Sequence, residues 1–179
     1  MNIFDLYRQH GDAEYIGEPV SQLEHASQAG QLALAANADP EVVLAAFLHD
    51  IGHLCDKAGV TQMDGLGTMD HEQIGADFLR LHGVPDRVAR LAERHVEAKR
   101  YLTFKHPAYY EGLSEASRGT LRWQGGPMNE AEAAEFEQDP DFETILQLRQ
   151  WDEQAKIEGK PLPDLAIFES ILKQLMSNP

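Results

Sequence analysis

"AAFLHDIGHLC", residues 45–55, is the stretch on which the reading of this chain turns. Ala45, Ala46, Phe47, Leu48, Ile51, Leu54 and Cys55 read as a helix that a core surrounds on most sides, yet His49, Asp50 and His53 sit inside it. An ionised aspartate among such neighbours carries a desolvation cost of several kcal/mol unless a partner or a metal offsets it.

The bulk numbers narrow the possibilities. A chain of 179 residues reads as one domain, 1–179, able to bury about 70% of its unfolded surface in a single core. A hydrophobic content of 42% is that of a globular chain. The net charge of −15 argues against nucleic acid as a partner, since such binders carry a basic face. It also means that an anionic substrate has to be drawn in by local cations against the overall field. One cysteine, Cys55, excludes an internal disulfide and suits a reducing compartment. The opening "MNIFDLYRQHGD" lacks a basic-then-apolar signal pattern, and no apolar run is long enough to cross a bilayer, so the expectation is a cytoplasmic protein with no membrane partner.

Helical punctuation recurs along the chain. Ser21 with Glu24 makes a capping-box pattern ahead of "HASQAGQLALAANA", and Asp39-Pro40 opens the segment that holds the quoted stretch. Further helices are expected over 70–82, stopping at Gly83, then from Pro85 to about residue 100, and over 114–124, 129–138, 141–155 and 164–176. No window alternates as a strand does, so the fold class is all-α. Two stretches, 56–70 and 101–113, read as long irregular loops, the kind that form lids or pocket walls.

Of the eight histidines, His25, His49, His71 and His95 fall in four separate expected helices; Asp50 adjoins one and Asp152 sits in a later one. Bundles assemble metal sites from side chains projected inward by facing helices. Six N/O donors exceed the needs of one tetrahedral ion, and a carboxylate can bridge two, so a dinuclear centre is the economical reading. Imidazole and carboxylate without thiolate suit iron, manganese or zinc.

A helix-borne histidine, an adjacent His-Asp and a distant aspartate resemble the HD-domain superfamily, here as His25, His49-Asp50 and Asp152 over residues 15–155. Within it, "YIGEPVSQLEH" (15–25), "HDIGH" (49–53), "HEQIGADFLR" (71–80), "HVEAKRYL" (95–102), "LSEASRGTL" (113–121), "QGGPM" (124–128) and "WDEQAK" (151–156) are similar to a smaller branch. That branch is the mixed-valence di-iron oxygenases, which include myo-inositol oxygenase and the phosphonate-cleaving PhnZ type. The resemblance implies a single HD-domain helical bundle with two iron ions (Fe2+/Fe3+). It implies that His25, His49, Asp50 and Asp152 hold one iron, with Asp50 bridging to a second held by His71 and His95. It also implies that Tyr15 caps the second iron when substrate is absent, that Glu18 approaches the substrate's amino end, and that Ser117 contacts the phosphonate.

Helical spacing adds three side chains. His53 follows His49 by four residues, placing it one turn along the same face as a base or hydrogen-bond partner. Lys99 follows His95 by four, and Arg149 precedes Asp152 by three, so both point to the same cavity as a cationic rim for a phosphonate dianion. The activity implied by the resemblance is O2-dependent cleavage of the C–P bond of 2-amino-1-hydroxyethylphosphonate to glycine and phosphate. The N-trimethyl form, giving glycine betaine, is the alternative, and Tyr101 and Phe104 are candidates to receive its cation through their rings. An upstream hydroxylase would supply either substrate. The rival readings are an HD-type phosphohydrolase that needs no oxygen and a regulatory HD module without catalysis.

Overall fold

A computed structural model describes residues 3–15, 17–55, 61–63, 65 and 67–177. Part of the expected 56–70 loop therefore lies outside the described residues. Helix α1 (Ile3–His10) lies in a stretch to which the sequence reading assigned no element. Its Ile3, Phe4, Leu6 and Tyr7 are buried, spaced as one helical face. Then follow α2 (Gln22–Ala35), α3 (Pro40–Leu48), a 3-10 turn (Ile51–Leu54), α4 (His71–Leu81), α5 (Asp86–Glu93), α6 (His95–Lys105), α7 (Pro107–Gly112), α8 (Glu115–Trp123), α9 (Glu130–Phe136), α10 (Phe142–Gln154) and α11 (Leu165–Ser177). Among the described residues there is no strand, only the isolated bridges Glu14–Ser21 and Gln62–Thr68. The protein is all-α, as expected.

Local chemistry starts the helices where the sequence places them. Ser21 accepts from the Glu24 amide while Glu24 accepts from the Ser21 amide. Asp39 accepts from the amides of Glu41 and Val42 ahead of α3, and Asn129 with Glu132 builds a second capping box ahead of α9. Three expectations are corrected. The quoted stretch is not one helix: α3 ends at Leu48, and His49-Asp50 form a turn into the 3-10 segment. The segment from Pro85 is two helices that meet at Arg94. Residues 101–113 are not an irregular loop, since α6 continues to Lys105 and α7 follows.

The core gathers around α3, against which α2, α5, α10 and α11 pack. Phe47 is fully buried, its ring 5.6 Å from Phe4 of α1 and 4.3 Å from Phe168 of α11. Each such side chain contributes about 1.5–3 kcal/mol by leaving water. In α2 it is Gly30 that admits α11, for a Cβ there would stand 2.5 Å from Phe168 Cε1.

An ion-pair cluster sets the direction of α5, and so of His95 just beyond it. Arg87 reaches Asp39, Glu41 and Asp141, while Arg90 grips both carboxylate oxygens of Asp139 at 2.9 Å and Arg94 adds a further contact. Burial pushes the Asp139 carboxyl up, but the Asp141 amide, Arg90 and Arg94 outweigh it and hold the group below the usual carboxylate range. A depressed folded-state value gives stability that is present above the ordinary aspartate range and is lost as pH falls. Asp139→Asn is therefore expected to lower stability at neutral pH by about 2 kcal/mol, less than a fully enclosed pair because the arginines remain partly open. The gap to wild type should close as urea unfolding is repeated towards pH 3; a gap that persists there would assign the loss to shape rather than charge.

Candidate metal centre

Five helix ends deliver the donors. His25 projects from the first turn of α2 and Asp152 from the last turn of α10; His49 and Asp50 follow α3; His71 and His95 open α4 and α6. All six are buried. Asp70, just before His71, adopts a left-handed conformation (φ 56°), which aspartate tolerates better than most residues.

Backbone carbonyls orient the rings. His25 Nδ1 donates to Ala155 O at 2.9 Å, His49 Nδ1 to Ala46 O at 2.9 Å and His95 Nδ1 to Ala92 O at 2.6 Å. With the proton on Nδ1, each Nε2 turns a lone pair inward. His25 and His49 then face each other at 3.1 Å between Nε2 atoms, and His71 and His95 at 3.2 Å. Ring nitrogens opposed at that distance need a positive charge between them, a proton or a metal ion.

Asp50 divides its two oxygens between these pairs. Oδ2 is 3.4 Å from His25 Nε2 and 3.3 Å from His49 Nε2, while Oδ1 is 3.2 Å from His71 Nε2 and 3.3 Å from His95 Nε2. Asp152 Oδ1 joins the first group, 3.3 Å from His25 and 3.7 Å from His49, and has no hydrogen-bond partner although buried. Donors about 2.1 Å from one ion stand about 3.0 Å apart at adjacent octahedral positions and about 3.4 Å apart in a tetrahedron. All of these spacings but the 3.7 Å between His49 and Asp152 fall within that range, so the residues fit two ions sharing one carboxylate. The electrostatics agree. Burial would raise the Asp50 carboxyl, but the imidazoles of His49, His25 and His71 around it hold it well below the usual range. Burial likewise opposes charge on His49, yet Asp50 and Asp152 pull it up to about 10. The carboxylates demand positive charge at the nitrogens.

Asp50, His71, His95 and Asp152 floor a cleft whose walls hold Tyr15, Glu18, His53, Lys99, Ser117 and Arg149. Tyr15 stacks on His25, ring centroids 4.0 Å apart, and burial, then the nearby charges of Asp50 and Asp152, push its hydroxyl well above the usual range. His53 stacks on His71 at 4.0 Å and accepts from the Thr68 amide at Nδ1, which leaves Nε2 as the protonated nitrogen of the neutral ring. Lys99 is buried and donates to Thr120; burial, then Arg149, brings its ammonium down to about 7. Arg149 donates to Asp152, and through Nε to Glu153 and the Tyr109 hydroxyl, leaving Nη2 buried without a partner. Ser117 lines the cleft. Glu18 is engaged by Lys156 at 2.7 Å and Ser114 at 2.6 Å.

Tyr101 and Phe104 are not in this cleft. Tyr101 packs on Phe136 and Phe142 and donates to Glu137, and Phe104 lies at the surface, so the aromatic cage considered for a trimethylammonium group is not built from them. Sequence reasoning passed over Thr120, Gln22, Gln124 and Lys156. Lys156 follows Asp152 by four, the spacing that had singled out Lys99 after His95, and that signal could have found it.

The HD domain family matches residues 22–138. A hydroxymethylphosphonate dioxygenase of Gimesia maris is 39% identical over 99% of this chain and 88% of its own length. A [1-hydroxy-2-(trimethylamino)ethyl]phosphonate dioxygenase (glycine-betaine-forming) of Leisingera caerulea is 37% identical over 96% of this chain and 87% of its own. The chain belongs to the HD-domain oxygenases. An uncharacterised protein of Acanthamoeba polyphaga mimivirus is 43% identical over 98% of the chain and 80% of its own length. This HD-domain oxygenase is an enzyme, and its described residues include two groups of histidines and aspartates that could hold a metal ion. Among its described residues no helix is long and apolar enough to cross a membrane.

Proposed function

We propose that this HD-domain oxygenase is a cytoplasmic di-iron enzyme that cleaves the C–P bond of a small 1-hydroxyalkylphosphonate with O2. The observation that carries the reading is the division of the two Asp50 oxygens between two histidine pairs, at the floor of a cleft walled by Lys99 and Arg149. The two similar dioxygenases, each named for a 1-hydroxylated phosphonate, support it. The overall reaction takes a phosphonate dianion and O2 to a carboxylate, hydrogen phosphate and one proton. The C–P and C1–H bonds break, C1 and phosphorus each gain one oxygen atom, and O2 accepts four electrons.

The iron ions, held by His25, His49, Asp50 and Asp152 on one side and by Asp50, His71 and His95 on the other, would supply O2 activation and Lewis acidity. The remaining steps fall to the cleft. Arg149, fixed on three sides, offers Nη2 to a phosphonate oxygen, with Lys99 and Ser117 beside it. Tyr15 covers the histidine floor until substrate displaces it. His53, with Nδ1 occupied by Thr68, holds a hydrogen bond through Nε2–H to the C1 hydroxyl oxygen.

The test is to incubate iron-loaded protein with 1-hydroxyalkylphosphonates and follow phosphate and oxygen together. Equal molar phosphate release and oxygen uptake is expected. Phosphate released equally under argon, or supported by manganese or zinc alone, would assign the protein to the phosphohydrolases instead.

A further inference from the structure

The wall of the cleft that carries Glu18 bears on the substituent at C1, the part of the substrate that the resemblance gives to Glu18. The charge of Glu18 is already met. Lys156 Nζ stands 2.7 Å from Glu18 Oε1, and the Ser114 hydroxyl donates to the same oxygen at 2.6 Å. The pair is nearly enclosed, with side chains 15% and 9% exposed.

Neither partner is free to drift. The backbone on either side of Lys156 is tied to α2: Ala155 O accepts from His25 Nδ1, and Ile157 exchanges two hydrogen bonds with the buried side chain of Gln28, at 2.9 and 3.0 Å. The segment bearing Glu18 is pressed on α8 through Gly17, whose left-handed φ of 79° and would-be Cβ contact of 2.8 Å with Ala116 leave no room for a side chain. Lys156 Nζ also lies 5.8 Å from the Tyr15 ring centroid, facing the same cleft. A cationic substituent at C1 that approached Glu18 would meet an ammonium already seated on it.

We infer that Lys156, by seating on Glu18, selects 1-hydroxyalkylphosphonates whose C1 substituent carries no positive charge, hydrogen being the smallest. The inference rests on the proposed function and departs from the amino-bearing substrate expected from sequence. Like charges brought together at an interface are disfavoured by several kcal/mol, so discrimination of tenfold or more, roughly, is expected.

The experiment titrates iron-loaded protein under argon with hydroxymethylphosphonate, 2-amino-1-hydroxyethylphosphonate and its N-trimethyl form, reading heat of binding, then admits oxygen and reads phosphate. Hydroxymethylphosphonate should bind about tenfold or more tightly than either cation, and Lys156→Met should narrow the gap by strengthening the two cations. Cationic phosphonates that bind wild-type protein as tightly as hydroxymethylphosphonate, or better, overturn the inference and leave the proposed function standing. Failure of all three to bind and react overturns both. The wild-type series decides the matter even if the variant does not fold.

Discussion

Asp50→Asn is expected to remove turnover and to leave the purified protein with less than two metal ions per chain. The substitution preserves shape and volume, so what changes is charge and the nature of one donor atom. In the native side chain each oxygen faces a pair of imidazole nitrogens at 3.2–3.4 Å. In asparagine one of those atoms becomes an NH2 group, whose hydrogens point where a metal ion would need a lone pair. One group would lose the oxygen that Asp50 offers it, and the other would keep a neutral carbonyl in place of a shared anion. Losing an outer-shell partner of a metal ligand costs about 10–100-fold, so losing the carboxylate proposed to join two ions should exceed about a hundredfold in rate. Metal analysis of iron-loaded protein checks the first part and phosphate release the second. Two ions per chain with ordinary turnover would show that Asp50 does not join the two groups.

The second large effect is expected at a residue with no polar atom. Gly52, in the 3-10 turn after Asp50, lies against the start of α4, and a Cβ added there would stand 1.9 Å from His71 O and 2.9 Å from Gly75 N. Both are backbone atoms, so no side chain can swing aside to relieve the contact. Gly75 faces it from α4, its own would-be Cβ 3.0 Å from Gly52 N, and the two glycines let the turn and the helix touch main chain to main chain. Gly52→Ala must push α4 away, and with it His71. Stability should fall by about 3 kcal/mol, the upper end for overpacking, and iron content should fall because His71 withdraws from His95 and Asp50. Thermal unfolding and metal counting of the same preparation test this together. A variant with unchanged melting temperature would mean that the contact yields easily.

What the sequence made legible was chiefly local. Ser21 and Glu24, Asp39 ahead of Pro40, and Asn129 with Glu132 act on the backbone within three residues of themselves, so their helices start where the spacing indicates. The break at Arg94 and the end of α3 at Leu48 were not legible, because helix-forming residues continue through both and the interruption comes from tertiary demands. Helix α1 escaped for a similar reason: it is short, and its buried face has meaning only against Phe47.

The candidate site divides along the same line. Four histidines and two aspartates were visible as residue types, and the structure gathers all six. The reasoning from four-residue spacing in an α-helix does not describe His53, which lies in a 3-10 turn and meets His71 through tertiary packing. The pairing of Glu18 with Lys156 joins residues 138 apart in the chain, and no spacing rule reaches that far.

One consequence concerns how His25, His49 and His95 are aimed. Their Nδ1 protons go to the carbonyls of Ala155, Ala46 and Ala92, main-chain atoms exposed where helices end or bend. Alanine scanning would find nothing at these positions, since each is already alanine. The aim of the rings is written in helix length: a residue inserted into or deleted from α3 or α5 would rotate a donor away from its target while every residue with a recognised chemistry stayed in place.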